Sequence, residues 1–160
     1  MNQWSNFFVA QTGASAALAG LIFVAVSLNL KRILSVGSLP NRAIQSLVTL
    51  VTLLLVSSLM LVPGQSLFCY GVELLLITVP VWIFSIILDY RSLKKTESQY
   101  RKHVIQAIIL GQVALIPYLI AGIVLMGNHQ AGTYFIVPAV IFSFFRSTLD
   151  AWVLLVEINR

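Results

Sequence analysis

The chain has little charge. Only 5 of its 160 residues are acidic, and charged residues make up 9% against 59% hydrophobic. Such a balance excludes a water-soluble core of normal proportions and places the chain among polytopic membrane proteins. Cysteine is nearly absent: Cys69 stands alone, which excludes an intramolecular disulfide and a thiolate metal cluster and leaves the redox compartment open. The two histidines, His103 and His129, have no Cys, His or carboxylate at ligand spacing, so each reads as a solvated interface residue, and neither metal nor other cofactor is expected. No His-Glu-x-x-His, Gly-x-Ser-x-Gly or phosphate-binding glycine loop occurs, so no enzymatic activity is expected either. Met1 to Asn6 lack the basic region of a cleaved signal, and the apolar segment from Phe7 onward reads as a retained span.

What the chain does have is apolar length. A membrane span needs about 20 mostly apolar residues, and the segments near 7–30, 43–62, 71–89, 104–126 and 132–158 meet or approach this, the third being the shortest. The expected fold is an all-α membrane protein, a bundle of five transmembrane helices forming a single domain over 1–160. The net charge of +5 does not point to nucleic acid, because all basic residues but Arg146 lie in loops or at span ends. Lys31, Arg32 and Arg42 follow the first span, and Arg91, Lys94, Lys95, Arg101 and Lys102 follow the third. The loops after the second and fourth spans hold none. The positive-inside bias then predicts the N-terminus outside and the C-terminus cytoplasmic.

Turn-forming residues punctuate the spans: Gly37, Ser38, Pro40 and Asn41, then Pro63 and Gly64, then Gly127 and Asn128. Pro80 predicts a kink in the third span, and Pro138 a kink or local loosening in the fifth. Glu73, near the outer end of the third span, is expected at headgroup level, where a carboxylate stays hydrated. Trp4 and Tyr70 suit an outer aromatic belt, Tyr90 and Tyr100 an inner one, and Trp82 and Trp152 read as packing residues.

Two faces stand out. On the first span Gly13, Ala17, Gly20, Val24 and Ser27 recur at steps of four and three, a small-residue seam on which membrane helices pack, expected to face helices of the same chain. On the fifth, Ser143, Arg146, Asp150 and Glu157 share a sector of roughly 60° at about 100° per residue. A charge near mid-membrane costs at least ~2.5 kcal/mol unless it meets protein, water or a counter-ion. Arg146 and Asp150, four residues apart, can pair along the helix. Asn29, Gln45, Thr49 and Gln112 fall at similar depth, so these six residues are expected to form a polar cluster, with Gln112 the nearest neighbour of the charged pair.

The run from Gly13 to Leu30, ending Phe-Val-Ala-Val-Ser-Leu-Asn-Leu, together with Val62-Pro63-Gly64-Gln65, resembles a group of uncharacterised bacterial multi-span membrane proteins, some of which carry the label modulator of FtsH protease. The resemblance implies a bacterial inner-membrane location and carries over no site residues. On its own residues the chain reads as a homo-oligomer in the lipid bilayer whose polar face lines or gates a path for ions or small solutes. The alternatives are an internal clasp that fixes helix order or subunit pairing, a non-conducting regulator or scaffold that binds another membrane protein, and a lipid or small-molecule site.

Overall fold

A computed structural model of the chain describes residues 4–35, 39–96 and 101–155. Gly37, Ser38, Glu97, Tyr100, Glu157 and Arg160 lie outside the described residues. Among the described residues there are six helices and no strand: α1 Ser5–Leu28, α2 Leu30–Ser35, α3 Leu39–Leu59, α4 Leu67–Lys95, α5 Arg101–Met126 and α6 Gly132–Leu155. All but α2 are long and apolar enough to cross a membrane. The span expected to be shortest, over 71–89, is the longest helix at 29 residues, because polar residues at its far end continue the helix beyond the apolar run. Pro80, Pro117 and Pro138 all sit inside helices that continue past them.

Helix ends follow local chemistry. Both the backbone N–H and the side-chain amide of Asn29 donate to the Ala25 carbonyl, each at 3.2 Å. This competition offsets the helix at Asn29. The chain then resumes as α2 in what reads from sequence as a loop. Ile33 on α2 is 2% exposed and packs with Ala43 of α3 and Leu154 of α6. At the other end of the bundle Ser66 caps α4 by accepting the Cys69 N–H at 3.2 Å, which satisfies one otherwise unpaired donor. Gly64 there has φ 79°, a left-handed turn open to glycine without strain.

The helices α3 and α6 form the centre. They pack on each other; α3 also meets α1 and α4, and α6 meets α5 and α1. Half of α3 is buried, compared with 17% of α1. The end carrying the α3–α4 and α5–α6 connections, the glutamate end, is filled by a large apolar core that includes Phe8, Leu53, Val56, Leu74, Leu115, Leu125 and Ile136. Trp4 sits edge-on to Tyr134 at this end, with centroids 5.1 Å apart. Glu73 is half-buried, not fully hydrated, and accepts from the Gln65 amide at 3.0 Å.

Small residues do allow close approach, but not where the first span suggested. A Cβ on Gly71 of α4 would lie 2.7 Å from the Gly122 carbonyl of α5, and one on Gly122 would lie 2.6 Å from Leu75 Cγ. The seam on α1 faces away from its own chain. Gly13, Ala17, Gly20, Val24 and Ser27 are exposed, and nothing lies within 4 Å of a Cβ placed on Gly13 or Gly20. The buried residues of α1 are Phe8, Ser15, Ile22 and Ala25, centred on the opposite side at about 100° per residue. The expectation of packing within the chain is thus corrected, because α1 meets α3 and α6 through its bulkier face. Gly122→Val should lower stability by about 1–3 kcal/mol through overpacking, while Gly20→Ala should not lower it; thermal unfolding of both variants in detergent distinguishes the two sites.

Candidate functional site

The polar groups of the central helices converge at the basic end of the bundle, where α2 and the start of α5 lie. On α6, Arg146 and Asp150 are each 3% exposed, and Ser143 and Ser147 are fully buried. At a rise of about 1.5 Å per residue Arg146 lies some 13 Å from the end of α6, and Asp150 lies one turn nearer that end. The Arg146 Nη2 donates to Gln45 Oε1 of α3 at 2.7 Å. Gln45 in turn donates through Nε2 to Asp89 Oδ1 of α4 at 2.6 Å and to the Ser85 carbonyl at 3.2 Å. The Arg146 Nε faces Asp150 Oδ2 at 3.7 Å, an ion pair along one helix. Asp150 also accepts a hydrogen bond from the Arg42 Nε of α3.

Four charges therefore meet, two arginines and two aspartates, and their formal sum is zero. The Gln45 amide bridges cation and anion, using its oxygen for one and its nitrogen for the other. The fifth helix contributes by omission: a Cβ at residue 111 would lie 1.9 Å from Arg146 Nη1 and 2.6 Å from Cζ. Gly111 is what lets the guanidinium lie against the α5 backbone. The cluster thus ties α3, α4 and α6 by bonds and α5 by shape.

Apolar packing adjoins the layer. Toward the glutamate end lies the large core described above, and at the basic end Ile33, Ala43 and Leu154 form a small apolar cluster beside Arg42 and Asp150 in sequence. Arg42 is the member nearest water, with 32% of its side chain exposed. Among the described residues, Ser46, Ser85 and Ser147 Oγ and one oxygen each of Asp89 and Asp150 are buried with no hydrogen-bond partner. Buried groups of this kind are ordinarily satisfied by internal water.

The expected cluster is met in part. Arg146, Asp150 and Gln45 come together, and Ser143 is buried on the same face, opposite the Tyr118 hydroxyl. The other three residues do not join them. Gln112 points to α4, where its Oε1 accepts from Trp82 Nε1 at 2.8 Å; the indole N–H needs a partner when buried and captures the amide. Trp82 is thus more than packing. Asn29 bonds the Ala25 carbonyl, and Thr49 bonds the Gln45 carbonyl at 2.8 Å within its own helix. Arg42, Asp89 and Gly111 are the members that sequence reasoning missed. From sequence Arg42 reads as a loop cation and Asp89 as the last residue of the third span. Their signal was depth: Asp89 ends an apolar run at the level where Gln45 begins one. Glu157 lies outside the described residues.

No protein-family model matches the chain, and neither a curated protein nor a solved structure does. Among the described residues no group of three or more His, Cys, Asp or Glu could hold a metal ion.

Arg146→Met removes one partner of a buried network and should lower unfolding free energy by about 3–5 kcal/mol. Gly111→Ala should cost about 1–3 kcal/mol by displacing the guanidinium, and should cost nothing further in the Arg146→Met background, where the added methyl finds space. A double-mutant cycle on denaturant-induced unfolding measures this coupling.

Proposed function

We propose that this protein is a non-conducting helical membrane protein that acts by association within the bilayer, as a regulator or scaffold for another membrane protein. The observation that carries the proposal is the closure of the charge cluster on itself. Its polar face turns into its own bundle, its formal charge sums to zero, and a large apolar core fills the bundle toward the glutamate end. A conduction path would need a continuous polar lining. Here Phe8, Leu53, Val56 and Leu74 stand where the lining would have to continue. A clasp of this kind fixes which helices are neighbours, a use to which buried ionic groups are well suited. No catalytic step is part of the proposal.

The surface offered for association is α1, the least covered span, whose Gly13, Ala17 and Gly20 face outward with room for a second helix. Close helix approach over small residues is the main attraction available inside a bilayer. The second helix comes either from another copy, making a homo-oligomer, or from a different membrane protein. The basic end is assigned to the cytoplasm by its Lys and Arg content, with the N-terminus outside. The sequence resemblance supports a bacterial cytoplasmic membrane.

A second reading, a gated path for ions or small solutes, has one observation in its favour: the buried unpartnered hydroxyls of Ser46, Ser85 and Ser147 beside the charges, where water could enter. The two readings separate in vesicles. Purified protein should pass no ions at any voltage or pH, and Arg146→Met should leave that result unchanged; a flux that Arg146→Met alters would sink the scaffold reading. In native membranes Gly20→Leu should abolish co-purification of a membrane partner, or cross-linking between copies, while the bundle itself stays folded.

A further inference from the structure

The basic end carries more positive charge on its surface than the bundle uses. Lys31, Arg91, Lys94, Arg101 and Lys102 are exposed there. The acids described at the same end, Asp89 and Asp150, are buried at 6% and 3% exposure and face Gln45, Arg42 and Arg146. They lie inside the bundle and do not face the exposed cations. The opposite end has a single described charged group, Glu73.

The charges are also grouped. Asn41 Nδ2 donates to Ser92 Oγ at 3.1 Å, which ties the start of α3 to the last turn of α4 and sets Arg42 at the same level of the bundle as Arg91 and Lys94, whose exposed side chains leave α4 on other sides than Ser92. The helix α5 begins at Arg101 and packs along α4, so Arg101 and Lys102 border the same turn. Arg42 is the ordered member of this group. Its Nε is held by Asp150, while its two amino nitrogens carry no bond among the described residues and its side chain is 32% exposed. A guanidinium fixed at one edge and open at the other presents a planar pair of donors suited to a phosphate.

What lies next to these cations distinguishes the class of ligand. The exposed surface continues directly into Ile86, Ile87 and Ile105, which are 41–45% exposed, and Tyr90 stands 68% exposed beside Arg91. A soluble acidic peptide would meet only the charges. An amphiphile with an anionic head and apolar tails would meet both surfaces at once.

We propose that this end is a binding surface for the phosphate-bearing headgroups of anionic phospholipids, with Arg42 as an ordered phosphate ligand and Arg91, Lys94, Arg101 and Lys102 as further cations at the same level around the rim. The test uses the full chain in nanodiscs of phosphatidylcholine, with and without phosphatidylglycerol. Native mass spectrometry should find phosphatidylglycerol retained severalfold above its share of the mixture, and the unfolding temperature should rise with its content; both effects should shrink as salt is raised. The fourfold variant R91Q/K94Q/R101Q/K102Q, which leaves every cluster bond intact, should lose the enrichment while keeping its unfolding temperature in phosphatidylcholine. Arg42→Lys should keep part of the enrichment, since the charge remains and the fork does not. Retention in proportion to the mixture, or equal enrichment in the fourfold variant, overturns the proposal. So does tight binding of a soluble polyglutamate peptide to protein in pure phosphatidylcholine with no preference for phosphatidylglycerol, which would assign the surface to an acidic protein.

Discussion

A guanidinium buried among apolar helices must find its hydrogen bonds inside the bundle, and the arrangement at the basic end follows from that requirement at Arg146. A side chain that is 3% exposed is removed from bulk water, and an unpaired charge at that depth is strongly unfavourable. Gln45 on α3 accepts a hydrogen bond, Asp150 on the same helix supplies a counter-charge at 3.7 Å, and Gly111 on α5 leaves the room the guanidinium occupies. Each partner then needs one of its own. Gln45 passes the demand to Asp89, and Asp150 takes a second cation from Arg42. The network ends only when two positive and two negative groups are present. Neutrality is thus the condition under which four charges can share a low-dielectric layer.

Six hydroxyls of the spans follow a cheaper course. Thr12, Ser15, Ser27, Thr49, Thr52 and Thr78 all donate to carbonyls three or four residues earlier in their own helices. Such bonds need no neighbour and therefore say little about helix arrangement. Gln112 and Trp82 form a comparable cross-helix pair away from the charges, and Asn41 with Ser92 forms another between α3 and α4. The bundle accordingly has two regimes: a charged layer that specifies which helices are adjacent, and a larger apolar core that supplies contact area without that specificity. Glycine is used where backbones cross closely, at Gly71 with Gly122, and where a side chain must pass, at Gly111.

This division bears on function. Interior polarity in a membrane protein is commonly associated with transport, yet here the interior charges sum to zero and are bonded to one another through Gln45 and Asp150. The surface differs from the interior. It offers an unpacked small-residue face on α1 and a basic rim over exposed isoleucines, both directed away from the bundle. Chemistry that faces outward suits a molecule that meets lipids and other helices.

The number and type of the spans were determined by the sequence alone, because hydropathy and length are local properties. Five apolar runs of sufficient length must become helices in lipid, whatever their neighbours. The depth of each polar residue was legible too, since rise per residue is constant: Gln45, Arg146 and Asp150 were placed at one level from counting alone. Which residues meet at that level was not legible. Depth leaves azimuth undetermined, and azimuth is decided by packing between segments far apart in the chain. Gln112 has the right depth and turns to Trp82; Asp89 and Arg42, read as span-end charges, turn inward. The seam on α1 shows the same limit, as its spacing marks a surface for close approach but carries no information on whose helix fills it. Only the tertiary structure decided that α1 meets its own chain through Phe8, Ser15, Ile22 and Ala25, because burying the bulkier face against α3 and α6 leaves the small residues of the seam pointing away from the bundle.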